Sequence, residues 1–208
     1  AEDNYSGLLV LLRMPGVTAD QVLFRHVLPG RLSRIRIELP TEGIDIVHVY
    51  QKSISFGEAT AHYALRERLW KELRKLLESM PHRNILAVAG DFNTQLVQSL
   101  PWSGPAARHP QDPPQVAKDA DRVQTLLSSH NLTASNTFGM RRRDACTCVH
   151  ASGNTQIDYI LLRGRGVSST RAWLLKDCLL NAEKRPCATQ WSQRSCFRQH
   201  GPRSRPDR

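Results

Sequence analysis

A change of hydrophobic period within the first ninety residues constrains the fold of this chain more than any other feature. Arg34-Ile35-Arg36-Ile37-Glu38-Leu39 alternates charged and apolar residues with a period of two, as a half-buried strand does. After a turn at Thr41-Glu42-Gly43, Ile44-Asp45-Ile46-Val47-His48-Val49-Tyr50 reads as a second strand, and the two form an antiparallel hairpin. The period then lengthens. Leu65, Leu69, Leu73, Leu76, Leu77 and Met80 recur at steps of three and four, with Glu67, Arg68, Lys71, Glu72, Arg74 and Lys75 on the other side. That pattern predicts an amphipathic helix of about 20 residues, which Pro81 terminates. Ile85-Leu86-Ala87-Val88-Ala89 then reads as a buried strand running into Gly90-Asp91-Phe92-Asn93.

The remaining pattern completes a mixed α/β arrangement. Leu8 to Leu12 is a short apolar run expected as a strand. Residues 101–114 hold five prolines and no apolar periodicity, the signature of a surface loop. Val116, Ala120, Val123, Leu126 and Leu127 mark a second amphipathic helix, and Leu132 to Phe138 and Ile157 to Leu162 are expected as strands. Strand and helix do not alternate strictly, so layered α/β packing is favoured over a doubly wound parallel sheet. From Gly164 the pattern fades. Residues 181–208 hold seven Lys or Arg against two acids, with scattered prolines, a composition expected to be disordered or loosely attached. The chain thus divides into a patterned domain over residues 1–163 and a degenerate basic tail over 164–208.

The formal net charge of +10 favours polyanions, nucleic acid or an anionic membrane surface, over neutral partners; a basic tail that only keeps the chain soluble is the plainer alternative. No stretch approaches the run of about 20 apolar residues that crosses a bilayer, and Gly7 to Leu12 is too short and lacks a preceding basic region. The five cysteines are an odd number gathered in the last third, which points to a reducing, intracellular compartment. Cys146, Cys148 and His150 are one residue apart, unlike the two-to-four-residue spacing of zinc ligands.

Four places could carry chemistry. Asp91 and Asn93, as residues i and i+2 of a strand, would project together from its end, where a carboxylate beside a carboxamide can orient a water or hold a hard cation. The alternative is a turn, since Asp and Asn are common turn formers. Asp158 stands in the apolar run Gln156-Ile157-Asp158-Tyr159-Ile160-Leu161-Leu162, where a buried acid needs a cation, a metal or a donor; otherwise it is a strand-edge residue facing water. Tyr50 ends its own strand, and a lone Tyr there is ordinarily packing. The basic run Arg141-Arg142-Arg143 is either a solvated turn or a phosphate contact.

Taken together and in order, these motifs resemble the endonuclease/exonuclease/phosphatase family over roughly residues 7–163. Ile46-Val47-His48-Val49-Tyr50 resembles the family's strand ending in Asn-x-Tyr, Gly90-Asp91-Phe92-Asn93 its Gly-Asp-Phe-Asn or Gly-Asp-Leu-Asn motif, and Gln156-Ile157-Asp158-Tyr159-Ile160 its Arg-Ile-Asp-Tyr-Ile strand. Thr147 sits where the family often has a Thr-Trp or Thr-Tyr pair. Gly30-Arg31-Leu32 and Gly153-Asn154-Thr155-Gln156-Ile157-Asp158 look most like versions carried by non-LTR retrotransposons.

The resemblance implies a four-layered α/β sandwich, with two sheets back to back between helices and a site built from strand ends at one edge. It implies Mg²⁺ or Mn²⁺ as cofactor, with Asp91 and Asn93 toward the metal. Asp91 would activate the attacking water, Asn93 would orient it and hold the phosphate, and Tyr50 would contact the scissile phosphate. Asp158 would pair with a histidine or assist the metal, and Arg141, Arg142, Arg143 and Thr147 would contact nucleic acid. Two family parts have no counterpart. Glu2 and Asp3 lie too close to the first strand to supply the upstream metal-binding Glu, and His200, followed by Gly201-Pro202-Arg203, does not match the C-terminal Ser-Asp-His.

The leading expectation is therefore a DNA-nicking endonuclease domain, incomplete at both ends and of reduced activity, whose partner is DNA and whose place is nuclear. The rivals are a nucleic-acid-binding remnant without catalysis and a phosphatase of the same fold. The endonuclease reading requires Tyr50, Asp91, Asn93, Thr147 and Asp158 to converge at one edge of the domain.

Overall fold

In the computed structural model, the described residues are 14–53, 59–107, 114–139, 145–150 and 153–163. The expected strand at Leu8 to Leu12 and the basic tail from Gly164 lie outside them. Strands β1 (Val22–Leu28), β2 (Leu32–Glu38) and β3 (Gly43–Tyr50) form an antiparallel meander. Helix α1 (Ala59–Glu78) then carries the chain back to β4 (Ile85–Asp91), which pairs parallel to β3, the connection a parallel pair requires. Helix α2 (Pro114–Ser129) leads to β5 (Thr133–Ala134). A small hairpin of β6 (Cys148–His150) and β7 (Gly153–Thr155) precedes β8 (Asp158–Arg163). The main sheet has six strands in the order β1-β2-β3-β4-β8-β5, with β8 antiparallel to both neighbours.

The buried cluster that joins the sheet to the helices lies on one face of this sheet. Val47, Val49, Leu86, Val88, Tyr159 and Leu161 form one buried cluster with Leu69, Trp70, Leu73, Leu76 and Leu77 of α1 and Val123, Leu126 and Leu127 of α2. Both helices therefore cover the same face, and the period of α1 read in the sequence is the one that packs, apart from its first turns. Leu65 is half exposed, and Arg66 takes the buried position instead.

Three local readings change. β1 was not expected, because its apolar residues surround Arg25 and His26 at a sheet edge where Leu23 and Phe24 remain half exposed and no alternation is imposed. The hairpin of β6 and β7 was likewise not expected. The expected strand from Leu132 to Phe138 shrinks to Thr133–Ala134, followed by a 3-10 turn at Ser135–Thr137. There, side chains take over from the backbone ladder. Asn136 Oδ1 accepts from the Ile160 amide (3.0 Å), Asn136 Nδ2 donates to the Asp158 carbonyl (3.0 Å), and Ser135 Oγ donates to the Ile160 carbonyl (3.0 Å).

Asp45, fully buried in β3, holds the end of the sheet opposite Tyr50. It accepts from Arg34 at 2.7 and 2.8 Å, from Arg36 at 3.0 and 3.1 Å and from Asn84 at 2.8 Å. Burial pushes its carboxyl up, but Arg36, Asn84 and Arg34 outweigh burial and hold it below the usual carboxylate range. A depressed folded-state value stabilises the fold above the unfolded pKa, and that contribution disappears as pH falls through the folded one. Removing one partner of a buried ion pair leaves the others uncompensated. Asp45→Ala should therefore lower unfolding free energy by about 3 kcal/mol or more in urea denaturation at neutral pH. A loss below about 1 kcal/mol would show that the arginines are satisfied by solvent instead.

Candidate active site

Because β4 runs between β3 and β8, the residue at its end has neighbours on both sides. The register pairs Tyr50 with Asp91, and Asp91 with Asp158. Paired residues on adjacent strands project to the same face, so the three side chains stand in a row at one end of the sheet, on the face away from the helices. The preceding pair, Val49 and Gly90, approaches so closely that a Cβ on Gly90 would lie 1.9 Å from the Val49 carbonyl oxygen. Gly90 also has φ +145°, a conformation that side chains rarely adopt. The glycine before Asp91 is thus a backbone requirement of the β3–β4 pairing.

The chain turns immediately after the strand. Phe92 is fully buried and packs toward Trp70 and Tyr159, with ring centroids 6.3 and 5.9 Å away, while its amide donates to the Ile157 carbonyl at 2.9 Å. Asn93 adopts a left-handed φ of 44°. Its amide donates to Asp91 Oδ1 (2.8 Å), and its Nδ2 donates to Asp91 Oδ2 (3.0 Å) and to the Gln51 carbonyl (2.7 Å). Asp91 and Asn93 do come together as expected, though through a turn and not as alternate residues of one strand. Asp91 is the last residue of β4, and both readings of this motif, turn and site, describe the same atoms.

Asp158 is fixed from the other side. The Thr147 hydroxyl oxygen accepts from the amides of Ile157 (3.0 Å) and Asp158 (3.1 Å), and the hydroxyl is also hydrogen-bonded to the Asp158 carboxyl. The β6–β7 hairpin, closed by the Thr147 amide on the Thr155 carbonyl (2.9 Å), returns Thr147 to this point. Thr147 is buried, so its hydroxyl serves to orient Asp158.

The electrostatics follow from this packing. Burial pushes the Asp91 carboxyl up to about 6, against the opposing pull of the Asn93 amide and the positive charges of Arg66 and Arg31. Asp158 is pushed up to about 7, first by burial and then by the negative charge of Asp91, which together outweigh the Thr147 hydrogen bond. The pair titrates in two steps. Of the two, Asp158 holds its proton more tightly, because it is buried beside the negative charge of Asp91. Two apposed, half-buried carboxylates are stabilised by a proton or by a hard cation. The oxygen donors here, Asp91, Asp158 and the Asn93 carboxamide, fit Mg²⁺, which uses one or two carboxylates and fills its remaining positions with water and phosphate. Among the described residues no group of three or more His, Cys, Asp or Glu side chains is placed to hold a metal ion.

Tyr50, Asp91, Asn93, Thr147 and Asp158 therefore share one end of the sheet, while Arg141, Arg142 and Arg143 lie outside the described residues. Three contributors escaped the sequence reading. Arg31 places its guanidinium 4.6 Å from the centre of the Tyr50 ring. Gln51 supplies the carbonyl that anchors the Asn93 side chain, and its amide donates to the Asp91 carbonyl at 2.7 Å. Arg66, buried in α1, donates to the Asn93 carbonyl at 3.2 Å. Only Arg66 left a signal: it lies three residues before Leu69 and seven before Leu73, on the apolar stripe of its helix.

Solved structures that the chain is similar to in fold include the 3′ phosphatase NExo from Neisseria bound to a product DNA hairpin (TM-score 0.53, 16% identity, covering 76% of this chain and 62% of that one). Others are the endonuclease domain of TRAS1, a telomere-specific non-LTR retrotransposon (TM-score 0.45, 12% identity, 74% and 63% covered), and the catalytic domain of Xenopus laevis APE2 (TM-score 0.49, 18% identity, 71% and 51% covered). The chain has the α/β fold of the endonuclease/exonuclease/phosphatase type. It spans less than two thirds of the length of each of these structures. No family profile and no curated protein sequence matches it.

Raised carboxyl pKa values make the folded state hold protons more tightly than the unfolded chain, so stability falls as pH rises from the ordinary value near 3.8 toward about 7. Asp158→Asn removes one of the two charges and should flatten this slope in thermal unfolding of the metal-free protein between pH 4 and 7. An unchanged slope would show that the two carboxylates do not interact.

Proposed function

We propose that the chain is a metal-dependent phosphodiesterase acting on DNA, an endonuclease domain of the kind carried by non-LTR retrotransposons. The observation that carries this reading is the row of Tyr50, Asp91 and Asp158 at adjacent strand ends, with Asn93 bonded to Asp91 beside it. Asp91, ionised above about pH 6, accepts a proton from the attacking water. The Asn93 amide and carboxamide fix the direction of the Asp91 oxygens, so the base is oriented before substrate arrives. Tyr50, with the Arg31 guanidinium over its ring, presents a hydroxyl and a positive charge on the same side as the carboxylates, suited to a phosphate oxygen. Asp158, held by Thr147, keeps a proton longest of the pair and can either donate it or accept the cation's charge. A bound Mg²⁺ would supply charge neutralisation on the phosphate, with Asp91, Asn93 and Asp158 as its nearest donors. The net charge of +10 supplies non-specific attraction to the polyanion, and the retrotransposon assignment rests on the sequence resemblance around Arg31 and Gly153 to Asp158. With this donor set the rate should be modest.

The same charge also favours a second reading, a nucleic-acid binder without catalysis. Nicking of supercoiled plasmid separates the two. The endonuclease reading expects slow, Mg²⁺-dependent relaxation that declines below about pH 6 and is reduced by roughly 10²–10³ in Asp91→Ala. Salt-sensitive DNA binding with nicking no faster than that of Asp91→Ala would reject hydrolysis and leave the binder.

A further inference from the structure

The site's turn is tied to a buried cation that takes no part in the row of strand-end side chains. Arg66 of α1 is 1% exposed and reaches three separate segments at once. Its Nε donates to Asp119 Oδ2 of α2 at 2.6 Å, and its Nη2 also pairs with that carboxylate. Nη1 donates to the Lys52 carbonyl, just beyond the end of β3, and Nη2 donates to the Asn93 carbonyl at 3.2 Å. Asp119 is itself held, accepting from Trp70 Nε1 at 2.8 Å and from Arg122 Nη1 at 2.9 Å on its other oxygen. The two loops that Arg66 grips are the two that position Asp91. Asn93 bonds that carboxylate, Gln51 anchors the Asn93 side chain and the Asp91 backbone carbonyl, and Lys52 and Asn93 supply the carbonyls that Arg66 holds.

We propose that Arg66, locked by Asp119, is a positioning residue that clamps the Gln51–Lys52 segment to the Asn93 turn and so fixes the orientation of the Asp91 carboxylate. The guanidinium suits this task because its planar fork donates in several directions from one rigid group. Asn93 sits at a left-handed φ, a conformation that needs external restraint to persist in a non-glycine residue. The carbonyl bond from Arg66 and the side-chain bond to Gln51 provide that restraint. Asp119 engages two of the five N–H donors of the guanidinium, and two of the others go to backbone carbonyls of the site loops.

The functional consequence rests on the reading of Asp91 as the base, but the clamp itself is tested without activity. Amide hydrogen exchange, resolved by residue, reads the Asn93 amide directly, because that group donates to Asp91 Oδ1. Val47 and Val88, central in the sheet, report global opening. In Arg66→Lys, which keeps the charge but loses the fork, Asn93 protection should fall roughly tenfold to a hundredfold, as expected for loss of a hydrogen bond to a charged group, beyond any change at Val47 and Val88. Arg66→Met combined with Asp119→Asn removes both charges while keeping an acceptor for Trp70, so it avoids a stranded carboxylate. It should recover global stability relative to Arg66→Met alone, yet leave Asn93 unprotected. Equal loss of protection at all three amides, or unfolding of Arg66→Lys and of the double variant, would show a purely global role and overturn the proposal. So would an unchanged Asn93 in either folded variant. Where plasmid nicking is measurable, the double variant should lower kcat with little change in KM. Absence of nicking in the unsubstituted chain would count against the endonuclease reading and leave the exchange result standing.

Discussion

The close approach of β4 to β3 is the constraint on which the rest of the site depends. Only at a residue without a side chain can the backbone before Asp91 come against the Val49 carbonyl, and Gly90 occupies that place. The approach lets β4 pair with β3 up to its last residue while β8 closes from the other side. Asp91 is thereby set between Tyr50 and Asp158. Phe92, pointing into the helix-side core, then forces the chain to turn, and Asn93 folds back on the carboxylate it follows. Each step is local, yet the outcome is a row of functional groups drawn from three strands.

The sheet shows two opposite treatments of a buried acid. At one end, Asp45 is surrounded by Arg34, Arg36 and Asn84, and its charge is a structural fixture held at low pKa. At the other, Asp91 and Asp158 face one another with no comparable ring of donors, and both carboxyls are pushed up. The first arrangement stabilises the fold, whereas the second stores an unfavourable charge that a cation or proton relieves. Stability alone gives no reason to place two carboxylates so close to each other.

Much of this was legible in the sequence because burial patterns are local. The alternation in β2 and β3, the three-and-four period of α1, and the apolar run of β4 each declare their own elements, and the motifs ending β3 and β4 and opening β8 marked the residues that meet at one end of the sheet. β1 gave no such pattern because it packs at an edge and buries little of either side. The segment after Leu132 was misread as a longer strand because its apolar and small residues hide the substitution of Asn136 and Ser135 side chains for a backbone ladder. Arg31 was invisible for a different reason: an arginine's contribution depends on which distant groups the fold brings to it, and Arg66 showed only as a charge on the apolar stripe of its helix. Gln51 acts through its backbone, where residue identity carries no signal.

The proposed site for a divalent cation at the end of β4 consists of Asp91, Asn93 and Asp158. The most direct measurement is a titration of the metal-free protein with Mn²⁺, followed by paramagnetic broadening of assigned backbone resonances. The account predicts that signals from residues 91–93 and 157–158 broaden first, that excess Mg²⁺ reverses the effect, and that Asp91→Ala combined with Asp158→Asn abolishes it. Broadening that begins elsewhere, or that survives the double substitution, would contradict the claim.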